Sequence, residues 1–109
     1  MAYKVMYVSV NDSYEVGGSM TDLMRAAHGD WPRTLSSAQS VDLLVAVKER
    51  RVVGAWDVLG AFRTESTYST PGGARPRVAF ALGESVPLDP ALHEVPSEFR
   101  RGCAIADRG

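Results

Sequence analysis

The sequence predicts an α+β fold: a small, strongly bent, mostly antiparallel β-barrel with one or two short flanking helices. Three observations predict it. Strand-like apolar runs, "YKVMYVSV" (Tyr3–Val10), Val41–Lys48, Val52–Phe62 and "RVAFAL" (Arg77–Leu82), are spread along the chain with one helical period after the first. The two middle runs are joined only through the charged knot "KERR", which reads as a hairpin with an exposed turn. Gly54 and Gly60 interrupt the second of these, where a curling sheet needs a bulge, a sharp bend or a close backbone approach.

Each element has its own warrant. Tyr3–Val10 alternates two apolar sets, Tyr3, Val5 and Tyr7 against Met6, Val8 and Val10, so both faces of this strand suit burial. In "SMTDLMRAAHG", Ser19 is an N-cap with Asp22 three residues on; Met20, Leu23, Met24 and Ala27 share a helix face, and Gly29 is the stop. "DWPRTLSSAQS" reads as a connector with one helical turn near Leu35–Gln39. Thr64–Arg75 reads as a long polar loop closing at "PGG". After Leu82, "GESVPLDPAL" reads as an irregular edge with two prolines, and Ser97 as the cap of a short helix, "EFRR", ended by Gly102. The tail "CAIADRG" supplies either a last strand or an oligomer contact.

The chain has 109 residues, the size of one domain (1–109), and 45% of them are apolar, enough for a single core. No apolar stretch is long enough to cross a membrane and the N-terminus has no signal-peptide pattern, so a cytoplasmic protein is expected. Cys103 is the only cysteine, which excludes an internal disulfide framework and a cysteine-rich zinc site. The net charge of −1 is unevenly spread: residues 46–80 hold six basic side chains against three acidic ones. A local basic patch can matter more to a polyanionic partner than the total does. Ten of the twelve basic residues are arginine, which suits planar contact with phosphate or a base edge.

Catalytic chemistry is poorly supported. His28 sits in a helix's last turn, His93 follows a proline-rich turn, and neither has metal-ligand spacing. Nothing near Cys103 in sequence would activate its thiol. Neither Gly17–Gly18 nor Gly72–Gly73 has the spacing of a phosphate loop. No cofactor and no metal is expected. The aromatic residues say more. Trp31 follows the first helix, and Trp56 lies on the strand side shared by Val52, Gly54, Val58, Gly60 and Phe62, where small neighbours leave room for a flat ring. An indole there is either core or a stacking wall for a base. "SVNDSYE" offers Ser9, Asn11 and Asp12, which either hold a turn or read a base edge.

Four stretches, "YKVMYVSVND", "DLMRAAHGDW", "DLLVAVKERRVVGAWDV" and "RVAFALGESVPLDPAL", follow in an order that resembles the PUA-like superfamily, in particular its EVE and YTH branches. The resemblance covers about residues 2–92 and is one of order and pattern. It implies a nucleic-acid reader, often of a modified base flipped into an aromatic-walled pocket; the related SRA-type readers are associated with modified cytosine in DNA. Trp31 matches the helix-end tryptophan. The second cage aromatic has no clear tryptophan counterpart, so Tyr68, Phe62 or Trp56 would have to serve, and a cytosine pocket competes on at least equal terms with one for methylated adenine.

The expectation is therefore a non-catalytic DNA-binding protein that prefers a modified base, 5-methylcytosine first. Trp31, Trp56, Phe62 and Tyr68 are its candidate pocket walls, Ser9, Asn11 and Asp12 its edge readers, and Arg50, Arg51, Arg63, Arg75 and Arg77 its phosphate contacts. A homo-oligomer would repeat the basic patch and raise avidity. Two alternatives stay open: an RNA-binding or RNA-processing ASCH-type protein, with Lys4, Asp12 or Asp57 at its site, and a protein-interaction or regulatory barrel.

Overall fold

A computed structural model describes residues 3–11, 14, 17–87, 90–93, 95–96, 99 and 102–108. Its elements are β1 (Tyr3–Ser9), α1 (Met20–Ala27), β2 (Gly29–Trp31), α2 (Leu35–Gln39), β3 (Leu43–Lys48), β4 (Arg51–Thr70), β5 (Gly73–Ser85) and β6 (Cys103–Arg108), with a 3-10 turn at Pro90–His93. They form one mixed six-stranded sheet in the order β2-β5-β4-β3-β1-β6. Only β1 and β3 pair in parallel; every other neighbouring pair is antiparallel.

The sheet is not closed. Register shifts lie opposite Gly54, between Ala46 and Val47, and in the β5 ladder at Trp56/Val58, Val58/Gly60 and Arg63/Thr67, so two of the four fall where glycine interrupts β4. Among the described residues no ladder joins the edge strands β2 and β6. What spans them is one side chain: Arg33, two residues beyond β2, donates from Nη2 to the Cys103 carbonyl at 2.9 Å and from Nε to Cys103 Sγ at 3.3 Å. The expected barrel is in this respect an open sheet.

Two apolar layers cover the sheet's faces. Met6, Val8 and Val10 of the first strand and its extension pack with Leu44, Ala46, Trp56, Val78 and Phe80 beneath α1 and α2. Val5 and Tyr7 pack on the other face with Val45, Val47, Ala55, Leu92 and Phe99. The alternation of β1 thus buries both of its faces, and the Tyr7 hydroxyl donates to the Leu92 carbonyl at 3.0 Å, which satisfies a buried polar group. Helix α1 begins as its sequence dictates, with the Ser19 hydroxyl accepting from the Asp22 N–H at 3.1 Å. Helix α2 is capped by Thr34, which accepts from the Ser37 N–H at 3.3 Å.

Two connectors turn out to be strands. Gly29–Trp31 adds β2 to the edge of β5, because Gly29 lets the backbones approach: a Cβ there would lie 2.5 Å from that of Ala79. Thr64–Arg75 is not a loop but the outer half of a β4–β5 hairpin, turning at Pro71–Gly72. The tail forms β6 against β1, so the last-strand alternative is the one observed. The expected helix at Ser97–Arg101 lies, Phe99 apart, outside the described residues.

The β3–β4 turn is tight and strained. Glu49 and Arg50 have φ of 50° and 69°, a left-handed pair that hairpin turns ordinarily give to Asn-Gly. Neighbours hold it: Asn11 Oδ1 accepts from the Glu49 N–H at 2.8 Å, and Lys48 Nζ donates to the carbonyls of Asn11 and Tyr14. Glu49→Asn keeps the backbone donor and tolerates the left-handed region. It should raise stability by up to about 1 kcal/mol, which a thermal melt would read as a rise of up to roughly 4–8 °C at this chain size. An unchanged or lower midpoint contradicts the strain.

Candidate functional site

Trp56 is the most buried of the expected pocket residues. It is 1% exposed and sits at the centre of the helix-side core. The room left by Gly54 is already filled, since a Cβ there would come within 2.9 Å of both Leu23 Cδ2 and the indole's own Cη2. The bulges of β4 also undo the expected common side. Val52 packs on the opposite layer and Phe62 stands on the opposite face at 49% exposure, while Val58 and Ala61 pack against the Trp56 layer. Trp56 does reach one edge of an open groove of about 400 Å³ lined by Met20, Thr21, Met24, Gly83, Glu84 and Ser85. Its one charged lining residue is Glu84, which disfavours a phosphate-bearing ligand.

Trp31 is half-buried, and its Nε1 donates to the Ala27 carbonyl at 2.8 Å. That bond occupies one of the carbonyls a helix leaves free in its last turn. The indole therefore ties the end of α1 to β2, a role that explains its place directly after the helix.

The expected edge readers lie at the far end of the sheet from the arm. Ser9 pairs with Val47, and the Asn11 side-chain oxygen accepts from the β3–β4 turn. Asp12 lies outside the described residues. The arginines divide in the same way. Arg50 donates to the Phe99 carbonyl, and Arg51 is exposed at the start of β4, both near Asn11. Arg63, Arg75 and Arg77 belong to the hairpin arm. Of the residues tempting for an RNA-processing site, Lys4 pairs with Asp107 at 3.0 Å on the surface, and Asp57 is exposed opposite Leu43. Neither lines the groove beside Trp56 or the cavity beside Tyr68.

One group of expected residues does converge. A cavity of about 130 Å³ lies between the start of α2 and the root of the arm, lined by Arg33, Thr34, Leu35, Arg63, Tyr68, Arg75 and Pro76. It holds three arginines and no acid. Arg33 is turned toward Cys103, whereas Arg63 and Arg75 are exposed. Arg77 locks the wall: it donates to the carbonyls of Thr67 at 3.1 Å and Asp30 at 3.3 Å, and its guanidinium carbon lies 5.9 Å from the Tyr68 ring centre. On the other strand the Ser66 hydroxyl donates to Asp30 Oδ2 at 3.2 Å, so β2 braces both strands of the arm.

The arrangement offers a tyrosine face, two apolar contacts in Leu35 and Pro76, and two exposed guanidinium groups. It can hold a planar or anionic ligand. Among the described residues no group of three or more His, Cys, Asp or Glu side chains is placed to hold a metal ion. No helix among the described residues is long and apolar enough to cross a membrane. Arg33, Thr34 and Leu35 were not expected here, since nothing in the "PRTL" stretch announces that it faces a hairpin forty residues away. No family model, curated protein or solved structure matches this chain.

Proposed function

We propose that the protein is a non-catalytic nucleic-acid reader of PUA-like type that binds DNA at the cavity between α2 and the β4–β5 arm and prefers a modified cytosine. The observation that carries the reading is the cavity's lining, in which Arg63 and Arg75 flank Tyr68 with no acid among them. A tyrosine ring can stack on a base, and the guanidinium groups suit the adjacent phosphates. Leu35 and Pro76 offer a methyl group an apolar neighbour. The reading moves the aromatic wall from Trp56 to Tyr68 and keeps the phosphate role for Arg63 and Arg75. It places the protein in the cytoplasm as a homo-oligomer, in which repeated arms would offset the weak attraction of a chain with net charge −1.

Burying the methyl of 5-methylcytosine contributes roughly 0.8 kcal/mol, about a fourfold preference. The test is a titration of labelled duplexes identical except for that methyl, at two salt concentrations, beside an RNA of the same sequence. The methylated duplex should bind about fourfold more tightly, and all the DNA affinities should fall as salt rises. Tyr68→Ala should weaken binding by about tenfold and leave the melting temperature unchanged. Equal affinity of Tyr68→Ala and wild type would remove the cavity from the site. Tighter binding to the RNA would return the ASCH-type alternative, and no binding at all would favour a protein partner.

A further inference from the structure

The cavity accounts for the root of the arm, not for its tip. Beyond Arg63 and Val78 the ladder resumes at Thr67 with Pro76, and then runs through Tyr68 with Arg75, Ser69 with Ala74, and Thr70 with Gly73. Four such rungs extend the ribbon by about 10 Å at the rise of a strand. On β4 Thr67 and Ser69 are exposed and Tyr68 and Thr70 half-buried, and residues 71–76 are all exposed. An edge hairpin that only completed a sheet would bury one of its faces.

Three features of this ribbon point the same way. Its charge is complementary to a polyanion: residues 63–77 carry Arg63, Arg75 and Arg77 against Glu65 alone, in a chain whose net charge is −1. Its tip, "PGGA" at 71–74, has no side chain larger than proline, so it is narrow. The turn is also pre-shaped, with the Thr70 hydroxyl donating to the Gly73 carbonyl at 2.7 Å and accepting from the Gly72 N–H at 3.2 Å. A two-stranded ribbon fits the major groove of B-form DNA, about 12 Å wide and about 8.5 Å deep. The clear length of the arm matches that depth.

We infer that the β4–β5 arm enters the major groove of duplex DNA tip first, an inference that rests on the DNA-binding reading above. Strand alternation puts Thr67 and Ser69 on one face of the ribbon and Tyr68 on the other. The hydroxyls of Thr67 and Ser69 meet base edges, while Arg63 and Arg75 take phosphates on the groove's rim. The braces from Asp30 to Ser66 and Arg77 set the angle at which the ribbon leaves the sheet.

The experiment compares wild type with a short-armed variant in which Ser69–Ala74 is replaced by Asn-Gly, leaving Arg63, Tyr68 and Arg75 in place. Circular dichroism melts establish that the variant folds. Both proteins are then titrated with one duplex DNA and with the duplex RNA of the same sequence, and the DNA complexes are footprinted with dimethyl sulfate, which methylates guanine N7 in the major groove. Wild type should protect N7 positions and prefer the DNA duplex by about tenfold or more, because the A-form major groove is too narrow for side chains. The short-armed variant should lose the protection and about tenfold in affinity. A second variant, Ser69→Ala with Thr67→Val, keeps the full arm and should weaken binding while retaining the N7 footprint, so a folding failure of the short arm leaves the inference open to refutation. Unchanged affinity and footprint with the short arm, or equal binding of the two wild-type duplexes, overturns groove entry while DNA binding stands. If neither protein binds any nucleic acid, the functional reading falls with it.

Discussion

Trp56→Ala should cost about 3–5 kcal/mol of folding stability, a large part of the roughly 5–15 kcal/mol that holds a small domain together. The indole is 1% exposed and meets Leu23 across the space that Gly54 leaves. Removing it opens a cavity beneath α1, which Leu23 and Met24 cannot close without shifting the helix. A urea titration followed by circular dichroism measures this directly as a fall in midpoint. The contrast with Tyr68→Ala is the useful part. One aromatic residue should control stability and the other affinity, although a strand pattern alone does not tell them apart. A Trp56→Ala protein with the wild-type midpoint would mean that the indole is not core.

The largest effect on binding should come from reversing both exposed cations of the cavity. Arg63→Glu with Arg75→Glu changes residues 63–77 from a net +2 to −2. If both guanidinium groups contact phosphates, affinity for DNA should drop on the order of a hundredfold at about 0.1 M salt, and the slope of log affinity against log salt should flatten by about two units. Both side chains are exposed, so the melting temperature should hardly move. Fluorescence anisotropy at four salt concentrations gives affinity and slope together. A double variant that still binds with the wild-type slope would exclude the arm as the electrostatic contact.

Much of the architecture was legible where burial leaves a period. Tyr3–Ser9 reads as a strand with two apolar faces because both of its faces are covered. The first helix declares its cap, its stripe and its end within the eleven residues from Ser19 to Gly29. The arm left no such trace. Its outer rungs bury neither face, so threonine, serine and arginine replace the apolar alternation, and the same composition serves a loop. Its strand character resides in the β-branched and aromatic residues Thr64, Thr67, Tyr68 and Thr70, a weaker signal than periodicity. The side of β4 expected to be shared with Trp56 was misjudged for another reason. Alternation counted along the sequence assumes an unbroken strand, and each bulge in β4 moves the residues beyond it to the other face. The polar cluster begins inside β1, with Ser9 its last residue, and the Asn11 side chain is engaged with the β3–β4 turn.

The position of β1 has a consequence for how the protein is made. It lies inside the sheet, flanked by β3 in parallel and by β6, the last strand of the chain. A strand apolar on both faces thus emerges well before Cys103–Arg108, the segment that completes its hydrogen bonding. Until then it is an open edge of the kind that pairs with other chains. Local hairpin formation by β3, β4 and β5 can proceed early, whereas closure of the centre is the late, non-local event. Changes in Cys103–Arg108 should therefore govern the yield of folded protein during synthesis.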